Sequence, residues 1–399
     1  MKKLLMASAV LAVASAPAFA ADIKIGVILG YTGPIESLTP DMAASAELAF
    51  KEINDSGLLL GGKMIESVRA DSTCVDSAAA TTAAEKLVTA DKVNAIMGAD
   101  CSGVTGAIAN NVAVPNGVVM VSPSATSPGL SALKDKGYFF RTSPSDARQG
   151  EVLASILKSR GIMEVAVTFT NNDYGKGLSE SLKNSYTAVG GKISMVAAHE
   201  DGKADYSAEV GALSASGSKH LVVFGYLDQG GKGIIQASLD SGAFENFILA
   251  DGMIGDTLTA AIGADLNGAI GTLPGSESKG ATSFQDMAGK AGIKKGGPFT
   301  AESYDAGALI ALAMQAAGSS DRSAIQSKMM MVGNAPGTKI MPGELAKALQ
   351  ILKDGGDIDY VGASGPVDLN ANGDVVSGNF SVWEIQNGRF VDIENISFP

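Results

Sequence analysis

The sequence predicts an α/β protein built as two similar lobes, each a parallel sheet flanked by helices. Short apolar strands alternate with amphipathic helices over residues 22–142, and the same alternation restarts at about residue 146. Strands that alternate with helices in this way are usually covered on both faces, which is typical of a parallel sheet. The chain has 399 residues, enough for two domains of about 150–200 residues each.

The first repeat predicts four strands and three helices. Met42, Ala46 and Phe50 recur at helical spacing, and Gly57 is a natural stop for the helix that carries them. The predicted strands are 22–29, 64–70, 93–97 and 118–121, and the predicted helices are 41–56, 76–90 and a segment that begins after Ser102.

The second repeat has the same pattern without a residue-level repeat. It predicts helices at 146–160, 177–189, 206–215 and 230–241, and strands at 165–170, 193–197, 221–224 and 247–249. Three later helices are expected to cover the first lobe, at 301–317, 323–330 and 344–353. The C-terminal segment predicts a β-hairpin around Asn387-Gly388, with strands at 375–385 and 389–393.

Three segments that contain glycine or proline are candidate crossings between the lobes: 141–144, 271–275 and 361–366. They divide the chain into a first lobe of 21–142 plus 275–361 and a second lobe of 143–274 plus 362–399. Because several crossings restrict relative motion, we expect the lobes to move about a hinge.

The N-terminus predicts export from the cytoplasm. Lys2 and Lys3 precede an apolar stretch at 4–15 that is too short to span a membrane, and Ala18-Phe19-Ala20 supplies small residues for cleavage. We therefore expect residues 1–20 to be a signal peptide, and the mature protein to lie in a bacterial periplasm.

Charge and cysteine content narrow the classes of partner. The formal net charge of −12 argues against nucleic acid and anionic lipid as partners. Cys74 and Cys101 are the only cysteines, and an even number in an exported protein predicts one disulfide, with two free thiols as the alternative.

Two segments imitate cofactor motifs without the required residues. Residues 57–63 match most of a P-loop, but Met64 stands where Ser or Thr would bind Mg²⁺, and the loop leads from a helix into a strand. Residues 368–373 imitate the start of an EF-hand loop, but Asn379 occupies the position of the final Glu. We expect neither a nucleotide nor a calcium site.

The sequence also offers few residues for a catalytic or metal site. His199 and His220 are the only histidines, and neither has a cysteine or histidine at metal-ligand spacing. No strand–turn–helix segment carries Gly-x-Ser-x-Gly. The sequence therefore predicts a protein that is not an enzyme and that has no metal site and no cofactor.

Ligands of parallel α/β sheets bind beyond the carboxyl ends of the strands. In the first lobe these ends carry hydroxyls and helix starts, which suit a carboxylate, at 31–34, 99–103 and 122–127. In the second lobe they carry aromatic residues and a carboxylate, which suit a cation, at 171–175, 226–228 and 251–252. An α-amino acid has both charges close together and would satisfy both lobes.

Several short motifs in matching order resemble one known family: Gly33-Pro34-Ile35, Cys74 with Cys101-Ser102, 122–126 (Ser-Pro-Ser-Ala-Thr) and 174–177 (Tyr-Gly-Lys-Gly). The chain resembles the periplasmic leucine/isoleucine/valine-binding proteins, the type I solute-binding proteins of ABC transporters, over essentially its whole mature length. The resemblance implies the type I periplasmic binding fold, with two Rossmann-like lobes joined by three hinge crossings.

The resemblance also implies roles for particular residues. Ser102, Thr126 and the backbone at Ser124, in the segment that contains Ala125, would bind the ligand carboxylate. Tyr174 and Tyr226 would close over the ligand. Asp251 matches the family's acidic residue, usually Glu, that pairs with the ammonium group, and Leu38 stands where the leucine-binding members carry an aromatic residue.

These expectations combine into one hypothesis. The protein would capture an amino acid, branched-chain or otherwise hydrophobic, by hinge closure and deliver it to an ABC transporter permease in the inner membrane. The alternative within the same fold is an aromatic acid, an amide or a urea-like solute as ligand. A periplasmic enzyme and a receptor ectodomain are the competing classes.

Overall fold

The computed structural model describes residues 23–398, so the predicted signal peptide at 1–20 lies outside the described residues. Up to the first crossing the described residues form five strands and three α-helices: β1 (Ile23–Leu29), α1 (Thr39–Ser56), β2 (Ile65–Asp71), α2 (Ser77–Thr89), β3 (Ala95–Gly98), α3 (Ser102–Ile108), β4 (Val119–Ser122) and β5 (Phe139–Arg141). A π-helical turn, Ala109–Ala113, continues α3.

The five strands make one parallel sheet in the order β2-β1-β3-β4-β5. The predicted order of strands and helices is confirmed here, and most bounds differ by one or two residues. Strand β5 is absent from the sequence prediction, because three residues are too few to show a periodic pattern.

The second lobe continues from 146 to 274 with alternating helices and strands: α4 (Asp146–Ser159), β6 (Glu164–Thr170), α5 (Asp173–Ala188), β7 (Lys192–His199), α6 (Ser207–Ser214), β8 (His220–Phe224), α7 (Gly230–Ser241), β9 (Asn246–Leu249), α8 (Asp256–Ile262) and β10 (Ile270–Pro274). Helix α5 begins four residues before its predicted start at Gly177. The cause is an N-cap at Asn172, whose side-chain oxygen accepts the Gly175 N–H at 3.1 Å.

The chain then returns to the first lobe and forms seven further elements: α9 (Lys279–Lys290), α10 (Thr300–Ala317), α11 (Arg322–Gln326), α12 (Met329–Gly333), β11 (Thr338–Ile340), α13 (Leu345–Lys353) and β12 (Ile358–Tyr360). The prediction of one helix at 323–330 was wrong, because Ser327 and Lys328 separate α11 from α12. Helices α8 and α9 and strands β11 and β12 were not predicted. They are short or bury only a narrow face.

Helix α10 packs against α1 and is buried along nearly its whole length. The close approach depends on Gly307, where a Cβ would lie 3.0 Å from the Phe50 ring and 3.1 Å from the Ala46 carbonyl oxygen. This packing sets the start of α10, and with it Phe299, beside the end of the first sheet.

The last two strands, β13 (Gly378–Gln386) and β14 (Arg389–Phe398), form the predicted hairpin. They extend the second sheet, whose order is β14-β13-β10-β9-β8-β6-β7. The prediction of a crossing at 271–275 was wrong for 271–274. These residues belong to β10, which is parallel to β9 and antiparallel to β13.

Three segments connect the two lobes. Residues 142–145 join β5 to α4, and residues 275–278 join β10 to α9. Before the third crossing, residues 361–374 still bond to the first lobe: Asp305 accepts the Ala363 N–H at 2.7 Å, and Arg141 Nε donates to Asp374 Oδ1 at 2.6 Å. We therefore infer that the third crossing lies at 375–377 and not at 361–366.

Over residues 23–398, no helix combines the length and the apolar character that crossing a membrane requires.

Candidate ligand-binding site

A cavity lies between the two lobes at the carboxyl ends of their parallel strands. The space in it that the centre of a water-sized sphere can reach is about 20 Å³, well below the range for small-molecule pockets, so the closed lobes leave little free space there. It is lined by residues from both lobes: Ile35, Leu38, Asp100, Cys101, Ser102, Ser124, Phe299, Tyr174, Tyr226, Asp251 and Gly252.

The structure brings most of the predicted site residues to this cavity. Its lining includes Leu38, Ser102, Ser124, Tyr174, Tyr226 and Asp251. Ala125 and Thr126 follow Ser124 directly but are not part of the lining, and both are fully buried. That these residues bind a ligand stays a prediction.

The first-lobe wall includes two serine hydroxyl groups that bond to the backbone. Ser102, the first residue of α3, accepts the Ser127 N–H on its Oγ at 3.1 Å. Within residues 23–398 this hydroxyl donates to no acceptor, so its proton can serve a ligand. The Ser124 hydroxyl instead donates to the carbonyl oxygen of Asp100 at 3.0 Å.

Asp100 supports this wall from behind. Its carboxylate accepts the Gly30 N–H at 2.7 Å and the Ser72 hydroxyl at 3.0 Å. Burial raises the pKa of Asp100, and these hydrogen bonds oppose the rise. The carboxylate is satisfied by protein groups, which indicates a structural role.

The predicted disulfide between Cys74 and Cys101 is present, with an S–S distance of 2.03 Å. Cys101 precedes α3 and lines the cavity. The bond therefore fixes the loop after β2 to the helix that carries Ser102.

The second-lobe wall combines two aromatic rings with an acid. The Tyr174 hydroxyl donates to Asp251 Oδ1 at 3.0 Å and accepts the Gly252 N–H at 3.3 Å. The Tyr174 ring stacks on Tyr226 with centroids 5.3 Å apart and an interplanar angle of 18°. Both tyrosines are nearly fully buried, so they present flat apolar faces to the cavity.

Asp251 is buried, and burial raises its pKa to about 6, against the opposing hydrogen bond from Tyr174. A buried carboxylate is costly unless it is paired with a cation or protonated. Asp251 is therefore suited to a positively charged group that enters the cavity.

A second acid, Asp146, lies beside Asp251 and was not predicted. It is fully buried at the start of α4, and neither carboxylate oxygen has a hydrogen-bond partner among the described residues. The Thr126 hydroxyl is likewise unpartnered there. Burial, and then the charge of Asp251, raise the pKa of Asp146 well above its ordinary value. In the sequence, Asp146 follows Ser145 and reads as an ordinary first-turn acid of a helix.

Phe299 lines the cavity and was not predicted from the sequence. It precedes α10 in the Gly296-Gly297-Pro298-Phe299 segment and has φ 57°, ψ 12°, the left-handed region. A phenylalanine after a glycine pair gives no periodic signal, although the change from loop to helix at this point was predicted. Ile35 and Gly252 belong to motifs that the sequence singled out.

The lobes are closed over the cavity. The Asp228 N–H donates to the Pro34 carbonyl oxygen at 3.0 Å, and the Asp228 carboxylate accepts the Ser37 N–H at 3.0 Å. Thr257 donates to the same carboxylate at 2.9 Å. The bonds of Asp228 to Pro34 and Ser37 join the turn after β1 to the second lobe.

Two α/β lobes that close over a shared cavity, joined by three crossings, define a two-lobed solute-binding protein. A family model described as periplasmic binding protein matches residues 22–348, and the chain belongs to that family. This match and the relatives described next confirm the resemblance to the leucine/isoleucine/valine-binding proteins and the prediction of a binding protein instead of an enzyme.

Relatives agree with this assignment. The chain is 31% identical over 393 residues to Leu/Ile/Val-binding protein homolog 3 of Brucella melitensis, with 94% of each chain covered. A leucine-binding protein from Thermotoga maritima superimposes with a TM-score of 0.79 at 25% identity, over 94% of this chain and 98% of that one. A branched-chain amino acid transporter substrate-binding protein from Streptococcus pneumoniae, solved with isoleucine, gives 0.78 at 25% identity, over 94% and 99%.

Proposed function

We propose that this protein captures a branched-chain or other hydrophobic amino acid in the periplasm and delivers it to an ABC transporter permease. One observation carries the proposal: Ser102 and Asp251, from different lobes, line the same cavity. A hydroxyl donor on one wall and an acid on the other match the two charges of a zwitterion.

The carboxylate of the ligand is assigned to the first lobe. The Ser102 hydroxyl can donate, since within the described residues it only accepts a bond. Thr126 supplies a buried hydroxyl with no partner there, next to the backbone of Ser124. Hydrogen bonds from neutral donors stabilise a carboxylate without adding a competing charge.

The ammonium group is assigned to Asp251. Closure removes this carboxylate from water, and a bound cation compensates the cost of burying its negative charge. Tyr174 holds one oxygen of the carboxylate at 3.0 Å, which leaves the second oxygen to the ligand.

The side chain of the ligand would lie among Ile35, Leu38, Phe299 and the tyrosine rings. Burial of each additional CH₂ group contributes about 0.8 kcal/mol. We therefore expect affinity to rise from alanine through valine to leucine until the cavity is filled.

Closure is what couples the two walls. In the open state the first lobe would hold the carboxylate alone, and Asp251 would reach the ligand only when the second lobe swings in. The bonds of Asp228 to Pro34 and Ser37 would then hold the closed form that the permease recognises. The relatives, which include Leu/Ile/Val-binding proteins and a transporter substrate-binding protein, support both the ligand class and the permease.

Calorimetric titration tests the proposal. Leucine, isoleucine and valine should bind. 4-Methylpentanoate, which lacks the amine, and 3-methylbutylamine, which lacks the carboxylate, should each bind at least a hundredfold more weakly than leucine. Equal affinity for leucine and 4-methylpentanoate would refute the role of Asp251. Tighter binding of benzoate or urea than of every amino acid would favour the alternative ligand class.

A further inference from the structure

A second cavity lies next to the ligand cavity, on the side of the hinge. The space in it that the centre of a water-sized sphere can reach is about 390 Å³, and part of the cavity is open to solvent. Its apolar wall comes from Ile254, Leu273, Trp383 and Phe390. Among the described residues that line the two cavities Phe299 is the only one they share, so it lies at their common boundary.

Phe299 has an unusual backbone. Its φ of 57° lies in the left-handed region, which non-glycine residues seldom adopt, and its side chain is 6% exposed. Such conformations concentrate at functional positions. Gly296 and Gly297 lie three and two residues earlier, and glycine gives the backbone before Phe299 more conformational freedom than other residues would.

Two polar side chains that line this second cavity, here called the hinge cavity, make no hydrogen bond to another described residue. Trp383 is 4% exposed, and its indole N–H meets no acceptor among the described residues. Glu302 is 3% exposed, its side chain bonds to no other residue there, and burial raises its pKa to about 8. A protonated carboxyl both donates and accepts, so these two groups suit an uncharged polar tip on an apolar body.

The other acids near this cavity do not compete for that role. Asp305, which faces Glu302, is occupied by the Ala363 and Ser364 N–H groups at 2.7 and 2.8 Å. Asp392 lines the cavity from β14 and is exposed to solvent.

We propose that Phe299 is a movable partition, and that an amino acid with an aromatic side chain extends past it into the hinge cavity. The inference rests on the proposed function, because the α-amino and carboxylate groups stay where leucine would place them. Trp383 and Glu302 would then meet the far end of the ring, and a hydroxyl there, as in tyrosine, would receive the indole N–H.

Affinities of leucine, phenylalanine and tyrosine, measured by calorimetry, test the partition. In Phe299→Ala the two cavities merge, so phenylalanine and tyrosine should bind about tenfold more tightly than in the wild type, while leucine, which loses a wall, binds more weakly. Phe299→Leu should change the same affinities in the same direction by less, and it guards against a folding defect in the alanine variant. An equal loss of affinity for all three ligands in both variants would overturn the proposal.

Phe390→Ala is the matched control. Phe390 lines the hinge cavity but not the ligand cavity. Its ring packs edge-on against Trp383, with the ring centroids 4.6 Å apart. Its removal should leave leucine affinity unchanged and alter only the binding of aromatic ligands. A change in leucine affinity equal to that in Phe299→Ala would show that Phe299 is not a specific partition.

Fluorescence tests where the ring goes. Trp383 is the only tryptophan in the chain, so its emission reports on the hinge cavity directly. 4-Iodophenylalanine should quench this emission by heavy-atom contact, whereas phenylalanine and leucine, which close the lobes without iodine, should not. Binding of 4-iodophenylalanine without quenching would overturn the extension while leaving the proposed function intact. Failure of every amino acid to bind would refute the proposed function, and this inference with it.

Discussion

The phenolic oxygen of Tyr174 lies 3.0 Å from Oδ1 of Asp251 and donates its proton to it. Tyr174 comes from the first turn of α5 and Asp251 from the turn after β9, so the bond links the ends of two strand–helix units of one lobe. It orients the acid that faces the first lobe, and it favours the charged form of that acid, against the effect of burial.

Asp251→Ala should weaken leucine binding by two or more decades. Removal of one partner of a buried ion pair typically costs about 3–5 kcal/mol. Titration of leucine and 4-methylpentanoate into the wild type and the variant measures this loss, which should be much smaller for the ligand without an amine. Unchanged leucine affinity would exclude Asp251 as the partner of the ammonium group.

Tyr174→Phe keeps the stacked ring and removes only the donor to Asp251. A hydrogen bond to a charged group contributes about 1.5–3 kcal/mol, so leucine affinity should fall about tenfold or more. The pH midpoint of leucine binding should also move upward, because the charged carboxylate loses a stabilising donor. A fall in affinity without a change in the pH midpoint would mean that the hydroxyl acts on packing and not on Asp251.

Leucine affinity should increase as pH rises through about 6, since a cation binds the deprotonated form of Asp251, whose pKa is about 6.

The free energy of unfolding of the ligand-free protein should instead decrease as pH rises. The folded pKa lies above the value of 3.8 for an exposed group, so the folded state keeps a proton that the unfolded state loses. This contribution, about 3 kcal/mol at most, destabilises the folded state as pH rises from about 4 to 6.

Denaturant unfolding without ligand, at pH 4.5 and pH 7, measures that stability change, and Asp251→Asn is its control. The variant should show a smaller fall between the two pH values. The remaining slope would include Asp146, whose pKa is shifted in the same direction. Identical pH profiles for the wild type and the variant would contradict the assignment.

Gly177→Ala should weaken ligand binding without touching the cavity. A Cβ at this position of α5 would lie 2.8 Å from Pro128 Cδ and 2.9 Å from Ser127 Oγ, both in the first lobe. The added methyl group therefore opposes closure. Gly211→Ala in α6 is the matched control, because nothing lies within 4 Å of its added Cβ.

Both alanine substitutions replace a helical glycine, so each should stabilise its helix by about 0.5–1 kcal/mol. Only Gly177→Ala should reduce leucine affinity and shift the scattering profile with ligand toward the open form. Equal affinities in the two variants would show that the contact between α5 and Pro128 yields without cost.

Replacement of Cys74 and Cys101 by serine should lower the free energy of unfolding. The disulfide closes a loop of 27 residues, and in the chain-entropy model this stabilises the fold by about 3 kcal/mol. Thermal unfolding with and without reductant provides the measurement. Reductant should not change the unfolding temperature of the double serine variant. Leucine affinity should fall less than stability, because Ser102 keeps its bond to the Ser127 N–H.

Much of the fold was predictable because its signals are local. The apolar run of β1 and the helical spacing of Met42, Ala46 and Phe50 each lie within one element. They predicted β1 and α1 to within two residues. Ligands of parallel sheets bind beyond the carboxyl ends of the strands, and this rule singled out Ser102, Tyr174 and Asp251, because each of them follows the end of a predicted strand.

The sequence by itself therefore determined the alternation of strands and helices, the two-lobe architecture and the ends of the strands at which a site could form. Only the tertiary structure decided that Asp146 lies beside Asp251, that Phe299 lines two cavities and that residues 271–274 form part of a strand. The physical reason is the separation along the sequence of the residues that interact. Periodicity and capping act over a few residues, whereas a cavity wall forms where segments more than a hundred residues apart come to share one buried space.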